Sequence, residues 1–117
     1  MEIKREELAW AAGFFDGEGC ISLIHAADHR KPQATLTIHQ VDRFVLDRFQ
    51  RAVGGLGNIY GPRMSKQPNR SPIYSFRTAN FEHVQAIVAM LWSFLSPIKK
   101  ADADRVLRGH LDARKAA

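Results

Sequence analysis

The chain has 117 residues, enough for one domain with a single hydrophobic core. Seventeen lysines and arginines face 12 aspartates and glutamates, and this formal charge of +5 favours an anionic partner such as nucleic acid, although many basic proteins bind none. The single cysteine, Cys20, excludes an intramolecular disulfide, and without a membrane-spanning run or a secretion signal we expect an intracellular protein that is not secreted and has no membrane partner.

The first half of the chain is predicted to form a helix, a hairpin and a second helix. The elements are helix 1 from 4–7 to 17–19, strand 1 at 20–27, a polar tip at 28–32, strand 2 at 33–40 and helix 2 at 43–53. Strand 2 alternates cleanly, with Ala34, Leu36 and Ile38 on its apolar side. Asp42 is suited to cap helix 2, because its side chain can accept from the first turn.

The second half repeats this order and adds a last helix. Its elements are strand 3 at 57–63, a loop at 64–69, strand 4 at 72–78, helix 3 from 81 through Leu95 and helix 4 from 97 to about 114. Asn80 and Ser96 are suited to cap the two helices, and Pro97 suits a first helical position. The order αββαββαα predicts one α+β domain over residues 1–117, with a four-stranded antiparallel sheet covered by helices on one face.

The other face of this sheet is predicted to be polar and basic. Seven residues are expected on it: Gln33, Thr35, Thr37, Asn58, Tyr60, Ser75 and Arg77. His39 continues the polar side of strand 2. Such a face is often only solvated; beside a basic hairpin tip it also fits a sheet that lies against DNA.

Helix 1 carries a stripe of small residues and ends in two acids. The stripe consists of Ala9, Ala12, Gly13, Asp16 and Gly17, and it would let the backbone of a second helix approach closely. Asp16 and Glu18 lie at the C-terminal end of the helix, where the helix dipole disfavours negative charge. One interpretation is a helix pair that delivers one carboxylate per chain to a shared site. The other is an ordinary helix end with two solvated acids.

Residues 11–19, with the sequence AAGFFDGEG, resemble the LAGLIDADG motif of homing endonucleases. Ala11 departs from the leucine of that motif, and Glu18 provides its second acid. One copy of the motif is found, as in the family members that act as homodimers, and the order of elements from Arg5 to about Arg114 also matches the family.

The resemblance implies a metal site at the end of helix 1. Glu18 would be the metal ligand, with the carbonyl of Gly19 as a further one, and Asp16 would be structural, bonding backbone at the helix interface. Magnesium would be the cofactor, with manganese or calcium able to take its place, since such ions need few protein ligands beside phosphate and water oxygens. The stripe on helix 1 would form the homodimer interface.

Two further catalytic residues follow from the same resemblance. Lys99 matches the family's active-site lysine best, by its distance from Val106, and Lys100 is one residue away. Both lysines lie in the first turn of helix 4, where the dipole disfavours cations, although a solvated basic pair would look the same. Gln40 matches a water-positioning glutamine, and a plain hydrogen bond at the strand end is the alternative.

Sequence recognition would fall to the open sheet face, lying in the major groove of double-stranded DNA. Base contacts are expected from Gln33, Arg63 and Arg77, with adaptable contacts from Thr35 and Thr37. Four residues are expected to contact phosphates, which position the protein but do not specify sequence: Arg30, Lys31, Lys66 and Arg70.

The function expected is that of a homodimeric, magnesium-dependent, site-specific DNA endonuclease. It would hydrolyse both strands of a long, partly palindromic site, because each half-site mirrors the other. One alternative is a cleavage-inactive relative that acts as an RNA maturase or a DNA-binding regulator. Another is a monomeric interaction domain, which would show no salt-sensitive DNA binding.

Overall fold

A computed structural model describes residues 2–25, 31–64 and 66–115, which form four α-helices and one sheet. The elements in chain order are α1 (Arg5–Glu18), β1 (Gly19–Ile24), β2 (Gln33–Gln40), α2 (Arg43–Ala52), β3 (Asn58–Arg63), β4 (Ile73–Thr78), α3 (Phe81–Leu91), a 3₁₀ turn (Trp92–Phe94) and α4 (Pro97–Lys115). The predicted α+β order is therefore confirmed. None of the helices in these described ranges is long and apolar enough to cross a membrane.

The sheet is antiparallel throughout, with strand order β1-β2-β4-β3. Gly19 pairs with Ile38 where α1 turns directly into β1, so the end of the helix is held at the edge of the sheet. On β3 the pairing shifts between Tyr60 and Arg63, as at a β-bulge, and Gly61 there has a φ of +120°, which glycine tolerates.

The core lies between one face of the sheet and the helices. The core contains three buried rings in contact: Phe15 from α1, Phe49 from α2 and Phe76 from β4. The ring centroid of Phe49 lies 6.3 Å from that of Phe15 and 5.1 Å from that of Phe76. A side chain on Gly19 would collide with the ring of Phe15, so glycine lets the start of β1 lie directly against the core.

The capping predictions hold and one helix boundary is corrected. Asp42 accepts from the backbone N–H of Phe44 at 2.9 Å, and Asn80 accepts from that of His83 at 3.1 Å. The predicted continuation of helix 3 through Leu95 is wrong, because α3 ends at Leu91 and tightens into the 3₁₀ turn. Leu95 is still buried in the core, so the row of apolar residues continues beyond the end of the helix.

His110 connects α4 to β2 by a hydrogen bond that its ring accepts. Its Nδ1 accepts from the backbone N–H of Ala34 at 3.0 Å, and the ring stacks on Phe81 with centroids 4.3 Å apart. Burial lowers the pKa of His110 below its ordinary value of 6.5, and the charge of Arg114 lowers it further.

We expect this histidine to make the folded protein less stable as the pH is lowered. The unfolded chain binds the proton at higher pH than the folded one, so the contribution is fully present above about pH 6.5 and is lost as pH falls towards the lower pKa of the folded state. Urea unfolding from about pH 7.5 to about 5 measures how the free energy of unfolding changes with pH. His110→Gln should flatten this dependence, whereas His25→Gln, at an exposed histidine, should leave it unchanged. An equal slope in the wild type and His110→Gln would contradict it.

Candidate active site

The two acids of the motif have different surroundings. Asp16 is half-buried, and its carboxylate accepts from the backbone N–H of Ser96 at 3.1 and 3.2 Å and from the Ser96 hydroxyl at 3.1 Å. The Ser96 Oγ in turn accepts from the backbone N–H of Lys99 at 3.2 Å. These bonds join the end of α1 to the start of α4, across 80 residues of sequence.

Asp16→Ala should therefore destabilise the fold. It removes the acceptor of buried or partly buried donors, a loss of about 1–3 kcal/mol in the free energy of unfolding. A suitable control is Asp104→Ala on α4, because Asp104 forms only an exposed ion pair with Arg108, worth about 0–1 kcal/mol. Urea unfolding of both variants measures the difference, and equal losses would show that the Asp16–Ser96 bonds contribute little.

Glu18 is the exposed last residue of α1, and Lys99 contacts the carbonyl of the next residue, Gly19. The Lys99 Nζ donates to the Gly19 oxygen at 2.7 Å and lies 5.2 Å from the centroid of the Phe15 ring. Lys100 points elsewhere, with its Nζ 5.5 Å from the centroid of Trp92. Of the two candidate lysines, the structure therefore brings Lys99 to the motif.

Gln40 lies at the end of β2 that pairs with the start of β1. It is the last residue of β2. Ile38, which pairs with Gly19, lies two residues before it, about 7 Å back along the strand. Its cross-strand partner is Tyr74, and the guanidinium of Arg43 lies 5.9 Å from that ring. A glutamine, a lysine and the exposed acid thus share one end of the molecule.

The Glu18 carboxylate and the Gly19 carbonyl are hard oxygen donors of the kind that magnesium and calcium prefer. They fit such an ion chemically, and the Lys99 ammonium already contacts one of the two oxygens. Among the residues that the structure describes, no cluster of three or more His, Cys, Asp or Glu side chains could hold a metal ion.

The open face of the sheet aligns its side chains in rows across the strands. One row joins Cys20, Thr37, Arg77 and Asn58, and the next joins His39, Ser75 and Tyr60. A cleft beside the second row is lined by His39, Arg63, Met64, Lys66, Ile73 and Ser75. The expected DNA-facing residues of β2, β3 and β4 thus form one polar surface with a basic rim.

Two residues of this surface differ from the expectation. Thr35 is only 1% exposed, so the prediction of a freely accessible contact there is wrong; its hydroxyl donates to the Gln33 carbonyl at 3.1 Å. The amide of Gln33 donates to the Ala79 carbonyl, and its Oε1 accepts from Arg114 at 3.5 Å. Gln33 therefore holds neighbouring segments together, instead of presenting a free amide to a base.

The expected phosphate contacts lie at the rim. Lys31, Lys66 and Arg70 are exposed, whereas Arg30 lies outside the described residues. The outward side of β1 was not among the predicted contacts; there Ser22 pairs with Thr35 and Ile24 pairs with Gln33. The alternation of Ile21 and Leu23 with Ser22 was the signal that could have found it.

The small-residue stripe of α1 is only partly free for a partner. Ala9 is exposed, and a Cβ atom added at Gly13 or Gly17 would meet no atom of another described element within 4 Å. Ala12 is 0% exposed and belongs to the core of its own chain, so its assignment to an interface is wrong. Asp16 bonds Ser96 within the chain.

Two large exposed apolar side chains in the first turns of α2 and α4 were also missed. Ile98, which precedes Lys99, is 78% exposed, and Phe44, four residues beyond Gln40, is 68% exposed. Contiguous exposed apolar surface is typical of an interaction site. Ile98 could have been found from its position in the first turn of helix 4, away from the apolar side of that helix.

Comparison with known proteins identifies the family of the chain. A family model described as LAGLIDADG endonuclease matches residues 11–102. The intron-encoded DNA endonuclease ai2b of Dictyostelium discoideum is 41% identical over 54 residues, which are 46% of this chain and 20% of that protein. The chain thus spans about a fifth of the length of this curated relative.

Solved structures extend the similarity to the whole fold. The homing endonuclease I-CvuI, in complex with its target in the presence of calcium, is 25% identical with a TM-score of 0.68 over 88% of this chain and 64% of that one. The LAGLIDADG meganuclease I-AabMI, bound to uncleaved DNA, is 21% identical with a TM-score of 0.71 over 93% of this chain and 37% of that one. Since the family model covers most of the chain and the sheet and helices are arranged as in these structures, the chain belongs to the LAGLIDADG homing endonuclease family.

Proposed function

We propose that this chain is a site-specific DNA endonuclease that cleaves double-stranded DNA as a homodimer with a divalent cation. The observation that carries the proposal is the junction of α1, β1 and α4. There the exposed acid Glu18 ends the motif helix, and the Lys99 ammonium contacts the carbonyl of the next residue, Gly19. The relatives named above are an intron-encoded DNA endonuclease and nucleases in complex with DNA, which supports the same class of substrate.

Glu18 and the Gly19 carbonyl would hold the metal ion, with magnesium as the first choice and manganese or calcium as substitutes. A bound divalent cation supplies charge stabilisation at the phosphate and makes a bound water more acidic. One acid from each subunit is enough, because magnesium takes the rest of its ligands from substrate phosphate and water. Asp16 holds the two helices in place and does not take part in the chemistry.

Lys99 and Gln40 complete the proposed site. The Lys99 ammonium, held at the Gly19 oxygen and over the Phe15 ring, is placed to stabilise negative charge on the phosphate or to help activate water. Gln40 would position the attacking water through its amide. Each group acts only if the scissile phosphate lies next to the end of α1.

The open sheet face would hold the DNA. The rows containing Thr37, Arg77 and His39 would face base edges in the major groove, and the exposed rim lysines would contact phosphates. Binding should therefore weaken as salt rises. Since host DNA is the substrate, the protein would act inside the cell.

The homodimer would form through the open side of α1. Ala9, Gly13 and Gly17 allow close approach of a second α1, and the exposed Ile98 and Phe44 extend the surface with apolar area. A twofold axis beside Gly17 would bring two Glu18 side chains together. It would also make the two half-sites mirror each other, so that the target is partly palindromic.

Selection of cleaved molecules from a random DNA library tests the proposal directly. With magnesium present, the protein should enrich one partly palindromic site cut in both strands, and with a chelator it should cut nothing. Salt-sensitive binding of the same DNA without cleavage in any divalent cation would instead indicate a cleavage-inactive DNA-binding relative.

A further inference from the structure

The proposed DNA-facing surface contains a histidine and a serine that are joined by a hydrogen bond. His39 on β2 and Ser75 on β4 are direct cross-strand partners, and the Nδ1 of His39 lies 2.7 Å from the Oγ of Ser75. Both strands are internal to the sheet, since the order is β1-β2-β4-β3. The pair is therefore supported by backbone pairing on both sides, while the histidine ring is exposed.

This hydrogen bond decides which atom of the ring is available to a ligand. Nδ1 is occupied by Ser75, so Nε2 is the ring nitrogen left to contact another molecule. A serine hydroxyl can donate or accept, and its choice sets the tautomer. If Ser75 donates to Nδ1, Nε2 carries the proton and suits an acceptor on a base; if Ser75 accepts, Nε2 is an acceptor and suits a base amino group.

The surroundings point to nucleic acid as the ligand. Arg63 and Lys66 line the cleft beside this pair, and Tyr60 lies next to Ser75 on β3. Cations at the rim suit phosphate oxygens, whereas hydrogen-bonding side chains on the floor suit a base edge.

We infer that His39 and Ser75 recognise one base pair in each half-site as a single unit. His39 contacts the base edge through Nε2, and Ser75 is a positioning residue that sets the orientation and tautomer of the ring. The inference rests on the proposed function and adds the residues that determine specificity at one position of the target.

Selection of bound DNA from a random library, with a sequence profile for each variant, tests this inference. His39→Ala should reduce discrimination at one position of the half-site by roughly tenfold. Ser75→Ala should change the preference at that same position, and the double variant should match His39→Ala alone, because Ser75 acts only through His39. Ser75→Thr keeps a hydroxyl and should retain the wild-type preference.

Thr37→Ala is the matched control, because Thr37 lies on the same strand and face in the neighbouring row. It should leave the position affected by His39→Ala unchanged. Effects of His39→Ala and Ser75→Ala at different positions, or effects that add in the double variant, would overturn the inference while leaving the proposed function standing. If the wild type enriches no DNA sequence at all, the proposed function itself is wrong and the inference falls with it.

Discussion

Replacing Glu18 with glutamine is expected to reduce DNA cleavage on the order of a thousandfold or more while DNA binding is retained. The change removes the charge that would hold the metal ion and keeps the size of the side chain. Glu18 is exposed at the end of α1, so the fold should not be affected. Single-turnover cleavage of the selected site, measured beside electrophoretic binding of the same DNA, gives both quantities.

Glu82→Gln provides the control for loss of one negative charge. Glu82 is exposed in the first turn of α3, and its replacement should leave cleavage unchanged. Cleavage by Glu18→Gln at the wild-type rate would rule out Glu18 as the metal ligand. Loss of binding together with cleavage would show instead that Glu18 is needed to form the DNA-binding surface.

Gly13→Leu is expected to abolish the homodimer and, with it, cleavage of both strands. Insertion of a leucine into a close helix contact costs about 1–3 kcal/mol. Both subunits of a twofold dimer carry the substitution, so this cost applies twice. The dissociation constant should therefore rise on the order of a hundredfold or more. Analytical ultracentrifugation over a range of protein concentrations measures the change.

The structure makes this experiment specific for association. A Cβ atom at Gly13 meets no atom of another described element within 4 Å, and leucine favours a helix by about 1 kcal/mol over glycine. The isolated subunit should therefore stay folded, as urea unfolding can show. Gln85→Leu, at an exposed position of α3, is the control and should leave the dimer intact. A Gly13→Leu protein that still dimerises would show that the interface lies elsewhere than α1.

The sequence by itself determined most of the secondary structure, because the signals for it are local. Alternation with a period of two defined β2 at Gln33–Gln40, and the capping side chains of Asp42 and Asn80 marked the starts of α2 and α3. The motif at 11–19 indicated the family before any contact was known, since the order of small residues and acids is itself the signature.

Contacts between distant residues were decided only by the tertiary structure. Lys99 and Lys100 are neighbours in the sequence, but one helical residue turns the side chain by about 100°, so one reaches Gly19 and the other Trp92. The bond from Ser96 to Asp16 spans 80 residues, and no local pattern predicts which donor meets which acceptor over that separation.

The accessibility of side chains was likewise decided by packing. Thr35 and Thr37 lie on the same face of β2, yet Thr35 is covered and Thr37 is only half-buried, because burial depends on the side chains around each residue. Ala12 belongs to the core while Gly13, the next residue, is open. A sequence pattern specifies the face on which a side chain lies, whereas the elements packed around that face determine what the side chain can contact.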